Sequence, residues 1–173
     1  MSDWFVTFGL AAVDPDRRLF IGAMPTDHHD VGALGERGIE AVVNLCEERE
    51  YPAGARIDIE AALAREGIQE HRFPFTDHGE LGTTQLEAAV AEVLRQRQAG
   101  KRVYVHCRAG RQRSTAVAAG ALALRGGMSL QEALTQIQQH KPDALPLEHQ
   151  WLDLEDWYRG QTAARDAVDA ERR

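Results

Sequence analysis

The sequence predicts an α/β domain, a central and mostly parallel sheet of four to five strands flanked by helices. Three observations predict it. Short β-branched runs alternate with stretches of helical periodicity along most of the 173 residues. The run Val42-Val43-Asn44-Leu45-Cys46 is apolar at nearly every position, as a strand covered on both faces must be. Two capping-box patterns, Thr84-Gln85-Leu86-Glu87 and Ser129-Leu130-Gln131-Glu132, each open an apolar stripe at helical spacing.

Each element follows in chain order. Trp4–Phe8 is expected as an edge strand and Arg18–Gly22 as the first core strand. His28-His29-Asp30 reads as a solvated helix start. Adjacent rings do not share a helix face, so no metal site is assigned there. Ile39–Cys46 and Ile68–Phe75 supply two further strands. Behind Thr84 the stripe Leu86, Ala89, Val90, Val93, Leu94 and Arg97 runs until Gly100 stops it. Arg102–His106 is the last strand. Ser114–Leu124 is apolar on every side, which marks a buried helix. Leu130, Ala133, Leu134 and Ile137 form one face of the next helix, ended near Lys141-Pro142. A last helix is expected from about Pro146, with Leu147, Trp151, Leu154 and Tyr158 facing inward. Residues 1–160 thus read as one domain, long enough to bury a core, and 161–173 as a charged tail, a frayed helix.

Composition excludes several function classes. Lys plus Arg number 20 against 27 Asp plus Glu, a formal charge of −7, the wrong sign for coating nucleic acid. Two cysteines exclude a disulfide scaffold and a four-cysteine zinc site, and no metal or cofactor is expected. The apolar run Trp4–Val13 has no basic flank and is too short to cross a bilayer. No later run approaches the ~18 residues a membrane helix needs. The expectation is a cytoplasmic protein without an integral membrane segment.

One segment carries chemistry: Val103-Tyr104-Val105-His106-Cys107-Arg108-Ala109-Gly110-Arg111-Gln112-Arg113-Ser114-Thr115. A strand ends at Cys107, a glycine-containing loop follows, and a buried helix begins. Such a loop can turn successive N–H groups inward while the helix adds its positive end, a cradle for a tetrahedral dianion. Ala109, Gly110, Arg111 and Gln112 would line it with Arg108, and Arg113 would return its planar fork to the centre. The field that holds a phosphate also favours a thiolate, so Cys107 is the expected nucleophile. Ser114 would donate to the sulfur, and His106 would fix the loop. His before Cys, Gly at +3, Arg at +6 and Ser at +7 should coincide by chance in roughly one chain in 10⁴ to 10⁵.

His-Cys-x5-Arg-Ser at 106–114 resembles the signature of the cysteine-dependent protein-tyrosine phosphatase superfamily, and the rest of the chain resembles its dual-specificity branch. The resemblance spans about residues 18 to 158. Phe20-Ile21-Gly22-Ala23-Met24-Pro25 and Gly38–Leu45 resemble that branch's opening strands, and Ser129–Ala133 and Pro142–Trp151 its final helices. Gly22–Pro25 and the arginine-bearing loop bring the chain nearest to the mitochondrial-type phosphatidylglycerophosphate phosphatase group. The resemblance implies a metal-free phosphatase working through a phosphocysteine. It also implies a general acid on a loop like Thr76–Gly82, which selects Asp77, thirty residues before Cys107. The bland alternative is that Asp77 only starts a turn; Glu80 is the reserve acid and His78 a weaker one.

Arg108 and Arg111 place extra cations on the rim, which suits a substrate with a second anionic group. Phosphoinositide and phosphatidylglycerophosphate phosphatases resemble this chain in that respect. The alternative pairs Arg111 with a nearby acid and leaves Arg108 in solvent. With no long insertion to build walls, the pocket is expected to be shallow. That favours phosphotyrosine, phosphoserine and phosphothreonine in proteins over a lipid or inositol phosphate. A catalytically silent phosphate-binding module is the reading of another class; a rhodanese-like sulfurtransferase fits His106, Arg113 and Asp77 less well. Finally, in phosphatases of regenerating liver a second cysteine after a similar strand bonds the catalytic one. Cys46 matches it as a redox partner of Cys107, with a small buried hydrophobe as the alternative.

Overall fold

A computed structural model describes residues 1–172. Among these, five strands form one sheet in the order β1-β2-β5-β3-β4. They are β1 (Leu10–Ala12), β2 (Leu19–Ala23), β3 (Ala41–Asn44), β4 (Gln69–Arg72) and β5 (Val103–Cys107). β1 pairs antiparallel with β2, and the remaining pairs are parallel. The flanking helices are α1 (Asp3–Phe8), α2 (His28–Glu36), α3 (Ala55–Glu66), α4 (Thr83–Gln98), α5 (Arg113–Gly126), α6 (Leu130–His140) and α7 (Glu148–Glu171). The expected sheet and its parallel core are therefore present.

Alternation along the strands divides the interior in two. Val103, Val105 and Cys107 of β5 join Ala41, Val43 and Leu45 in the core covered by α4 to α7. Tyr104, Val42 and Cys46 join the core beneath α1, α2 and α3. β5 is buried at every residue because it lies at the centre, between β2 and β3. β4 is the opposite case. Its polar residues Gln69-Glu70-His71-Arg72 guard an edge against further pairing.

Several local expectations are corrected. Trp4–Phe8 forms helix α1 rather than a strand. The Ser2 side chain caps it by accepting from Phe5 N–H, and the Trp4 and Phe8 rings, four residues apart, lie 4.4 Å between centroids. The antiparallel edge is Leu10–Ala12 instead. The Thr84–Glu87 capping box does not form. Leu81 is buried and its N–H is held by Asp153, and the helix turns two residues early, with Gly82 rather than Thr84 at its N-cap. The Ser129–Glu132 box forms with both of its reciprocal bonds. The helix start at His28 is not fully solvated, because Asp30 is buried. It accepts from the N–H and hydroxyl groups of both Ser2 and Thr26. α3 was not anticipated. The charged tail continues α7 as exposed helix to Glu171. No helix among the described residues is long and apolar enough to cross a membrane.

Ile21 is fully buried in the first core, and Ile57 is 77% exposed on α3. Ile21→Ala should cost about 2–5 kcal/mol of unfolding free energy in urea, while Ile57→Ala should change it by no more than ~0.5 kcal/mol.

Candidate active site

Cys107 ends the central strand at the carboxyl edge of the sheet, where open α/β folds bind ligands. The chain then loops through residues 108–112 into α5. Gly110 takes φ 70° and lies against β2 so closely that a Cβ would overlap the backbone of Gly22. Gly22 in turn has the Gly9 carbonyl and the Tyr104 hydroxyl where its own Cβ would go. Only glycine satisfies both positions.

The loop's carbonyls are tied outward. Met24 N–H and Trp4 Nε1–H both donate to the Arg108 carbonyl at 3.1 Å, and Leu145 N–H donates to that of Arg111 at 2.7 Å. Among the described residues, none accepts from the main-chain N–H groups of Arg108 to Gln112. Those amides and the start of α5 are the donors an anion would need. They border a cavity of about 180 Å³ lined by Asp77, His78, Cys107, Arg108, Ala109, Arg111 and Gln112. The Cys107 Sγ lies at its base, 3.4 Å from the Ser114 Oγ.

Arg113 is 1% exposed and lies behind the cavity, where it ties Asp77 to the segments that follow β3 and β4. Its two terminal nitrogens donate to both carboxylate oxygens of Glu50, at 2.8 and 2.6 Å. Nη2 also donates to Asp77 Oδ1 at 2.8 Å, and Nη1 to the carbonyls of Phe75 at 2.9 Å and Leu45 at 3.3 Å. Burial is the largest influence and opposes the guanidinium charge, but Glu50 and the nearby Cys107 and Cys46 thiols together outweigh it and hold the group above its ordinary pKa. Nε is buried and has no partner among the described residues.

Asp77 thus reaches the site, between Arg113 and Arg108, whose Nη1 is 4.0 Å from Oδ2. Glu80 is exposed and does not line the cavity; His78 does, through the turn it shares with Asp77. Arg111 pairs with Asp143 at 3.5 Å, and the Arg108 guanidinium lies 5.6 Å from the Trp4 ring centroid. His106 is fully buried, and burial pushes it down to about 4, so it stays neutral.

Cys46 does not meet Cys107. Strand alternation sends it to the opposite core, where its Sγ lies 3.8 Å from His106 Nδ1, and both cysteines are free. Burial raises its thiol well above the ordinary range, so it packs as a small buried group.

Glu50 escaped the sequence reading, as did the network behind it. Asn44 donates to Tyr51 Oη and Glu70 Oε1 and accepts from Cys46 N–H. Arg56 forks onto Glu70 at 2.9 and 2.7 Å. Together they brace the short 3₁₀ turn Glu48–Glu50 that delivers the carboxylate. The acidic stretch Glu47-Glu48-Arg49-Glu50 was the available signal, but nothing local singles out its last member.

Comparison with known proteins gives concordant results. The family model for the dual specificity phosphatase catalytic domain matches residues 19–160. Dual specificity protein phosphatase 12 of Rattus norvegicus is 33% identical over 112 residues, 64% of this chain and 31% of that protein. The chain therefore spans about a third of the length of that curated relative. The crystal structure of Tk-PTP in the active form superposes with a TM-score of 0.74 at 25% identity, covering 86% of this chain and 96% of that one. PTPMT1 in complex with PI(5)P shares the fold, with a TM-score of 0.76 at 23% identity over 90% of this chain and 98% of that one.

Two outcomes follow from these buried titratable groups. Glu50→Ala leaves the Arg113 guanidinium short of its main partner and should cost about 3–5 kcal/mol in urea unfolding. His106 is held below its ordinary 6.5 in the folded chain, so its contribution is complete above pH 6.5 and lost as pH falls toward about 4. The unfolding free energy should drop across that window by roughly 3 kcal/mol, and a His106→Leu chain should show a flatter profile there.

Proposed function

The chain belongs to the dual specificity phosphatase catalytic-domain family, and from that premise we propose that it is a metal-free phosphomonoesterase acting on phosphotyrosine, phosphoserine and phosphothreonine in proteins. The observation that carries the reading is that Cys107 and Asp77 line one small cavity, with Arg113 bonded to Asp77 behind it and loop amides that have no partner among the described residues.

The cycle has two displacements. As the ester enters, its phosphoryl oxygens take the loop N–H groups and Arg113, whose Nε has no partner among the described residues and whose Nη2 exchanges Asp77 for phosphate. The Cys107 thiolate attacks phosphorus and the phosphorus–oxygen ester bond breaks. Asp77 gives its proton to the departing oxygen, leaving a phosphocysteine. Asp77, now a carboxylate, takes a proton from water as that water attacks phosphorus. The sulfur–phosphorus bond breaks, inorganic phosphate is released, and Ser114 stabilises the returning thiolate across 3.4 Å.

The cavity, about 180 Å³, is too small to select a deep side chain, which supports dual specificity. One observation favours a second reading. Arg108 and Arg111 flank the mouth with side chains 52% exposed, where a second anionic group of a phospholipid or inositol phosphate would find them. Against it, both are already engaged, by Trp4 and Asp143.

Turnover of p-nitrophenyl phosphate should survive excess chelator and vanish in Cys107→Ser. Asp77→Asn should slow phenyl phosphate hydrolysis about 10²-fold or more. Full activity in Cys107→Ser would overturn the covalent mechanism. Phosphate binding without turnover in the intact chain would make it a recognition module. A panel of phosphopeptides and phosphoinositides decides the substrate, and hydrolysis confined to the lipids would install the second reading.

A further inference from the structure

The turn that carries Asp77 is fastened to a helix more than seventy residues downstream. Building on the acid role proposed above, we infer that Gln150, aided by His149 and Asp153 on the same helix, is a positioning residue that sets Asp77 for proton transfer. The turn runs from Thr76 to Gly79, closed by the Gly79 N–H donating to the Thr76 carbonyl at 2.9 Å. Asp77 and His78 are its central residues, and His78 takes φ 58°, a left-handed conformation unfavourable for a residue with a Cβ. Such a conformation persists only where the surroundings over-determine it.

The first two turns of α7 supply that constraint. Gln150 Nε2 donates to the Gly79 carbonyl at 3.0 Å, and His149 Nε2 donates to those of His78 and Gly79 at 3.1 and 3.2 Å. Asp153 Oδ2 accepts from Leu81 N–H at 2.8 Å, pinning the chain where it leaves the turn. Gln150 is fully buried, and its Oε1 accepts from Leu147 N–H at 3.3 Å, so both ends of the amide are used. Gln150 lies on the buried face of α7 with Leu154 and Trp157, where an aliphatic side chain would serve for packing alone. The amide is needed for the hydrogen bond to the acid's turn. From the other side, Arg113 holds the Asp77 carboxylate itself. That contact passes to the phosphate when the ester enters, so at proton transfer the backbone anchor is the one that sets the acid. A displacement of about 1 Å in such a group can cost 10²-fold in rate.

The test uses two substrates, phenyl phosphate, whose leaving oxygen needs a proton, and p-nitrophenyl phosphate, whose leaving group departs more readily without one. Gln150→Met should lower kcat on phenyl phosphate about tenfold, with a smaller loss on p-nitrophenyl phosphate and little change in KM. The same substitution in an Asp77→Asn background should add no further loss, since there is no acid left to misplace. Equal losses on the two substrates, or a full loss retained in the Asp77→Asn background, would overturn the inference. His149 is exposed, so His149→Ala reads out the same ratio if Gln150→Met fails to fold; an unchanged ratio there would also overturn it. Failure of the underlying reading looks different: no turnover by the unmodified chain, or an Asp77→Asn chain indifferent to the leaving group, removes the acid role and the inference with it.

Discussion

The site depends on one buried cation. The Arg113 guanidinium lies at the start of α5 and donates to Glu50, to Asp77 and to the carbonyls that follow β3 and β4. Removing such a charge from water is costly, and the cost is met only because Glu50 accepts two bonds within the same enclosure. The geometry therefore works in one direction. The charge draws the ends of three strands into register around itself, and those ends carry the thiol, the acid turn and the bracing glutamate.

Each layer outside that centre limits how far its members can move. Behind Glu50, Asn44, Tyr51, Glu70 and Arg56 close a hydrogen-bonded set with Arg56 lying 5.1 Å from the Tyr51 ring centroid. Beneath the loop, the neutral His106 fills the core rather than titrating at physiological pH. Preorganisation of this kind suits phosphoryl transfer, where placing charge contributes more than covalent assistance from side chains.

Much of this was legible in the sequence because it is local. The strand–loop–helix around Cys107 lies within a dozen residues, so spacing alone brings Cys107, Arg113 and Ser114 together. Asp77 was legible through its position after a strand. Glu50 was not, because it meets Arg113 across 63 residues of sequence and two neighbouring acids, Glu47 and Glu48, offered the same chemistry. Trp4–Phe8 misled for a different reason: five mostly apolar residues fit either period, and the cap that decides for helix, Ser2, depends on Asp30 far along the chain. Cys46 misled through parity. It does follow β3, but Leu45 shares the core of Cys107, so the thiol one residue on turns to the other face.

The contact between Gly22 and Gly110 carries a consequence for transplanting the site. The motif from His106 to Ser114 is contiguous and looks portable, yet part of its mould is a bare stretch of main chain nearly ninety residues upstream. Grafted onto another α/β scaffold, the nonapeptide would keep its shape only where the host's adjoining strand also lacks a side chain at the point of crossing. Recipient scaffolds should accordingly be chosen by that neighbouring strand before any residue of the motif is copied.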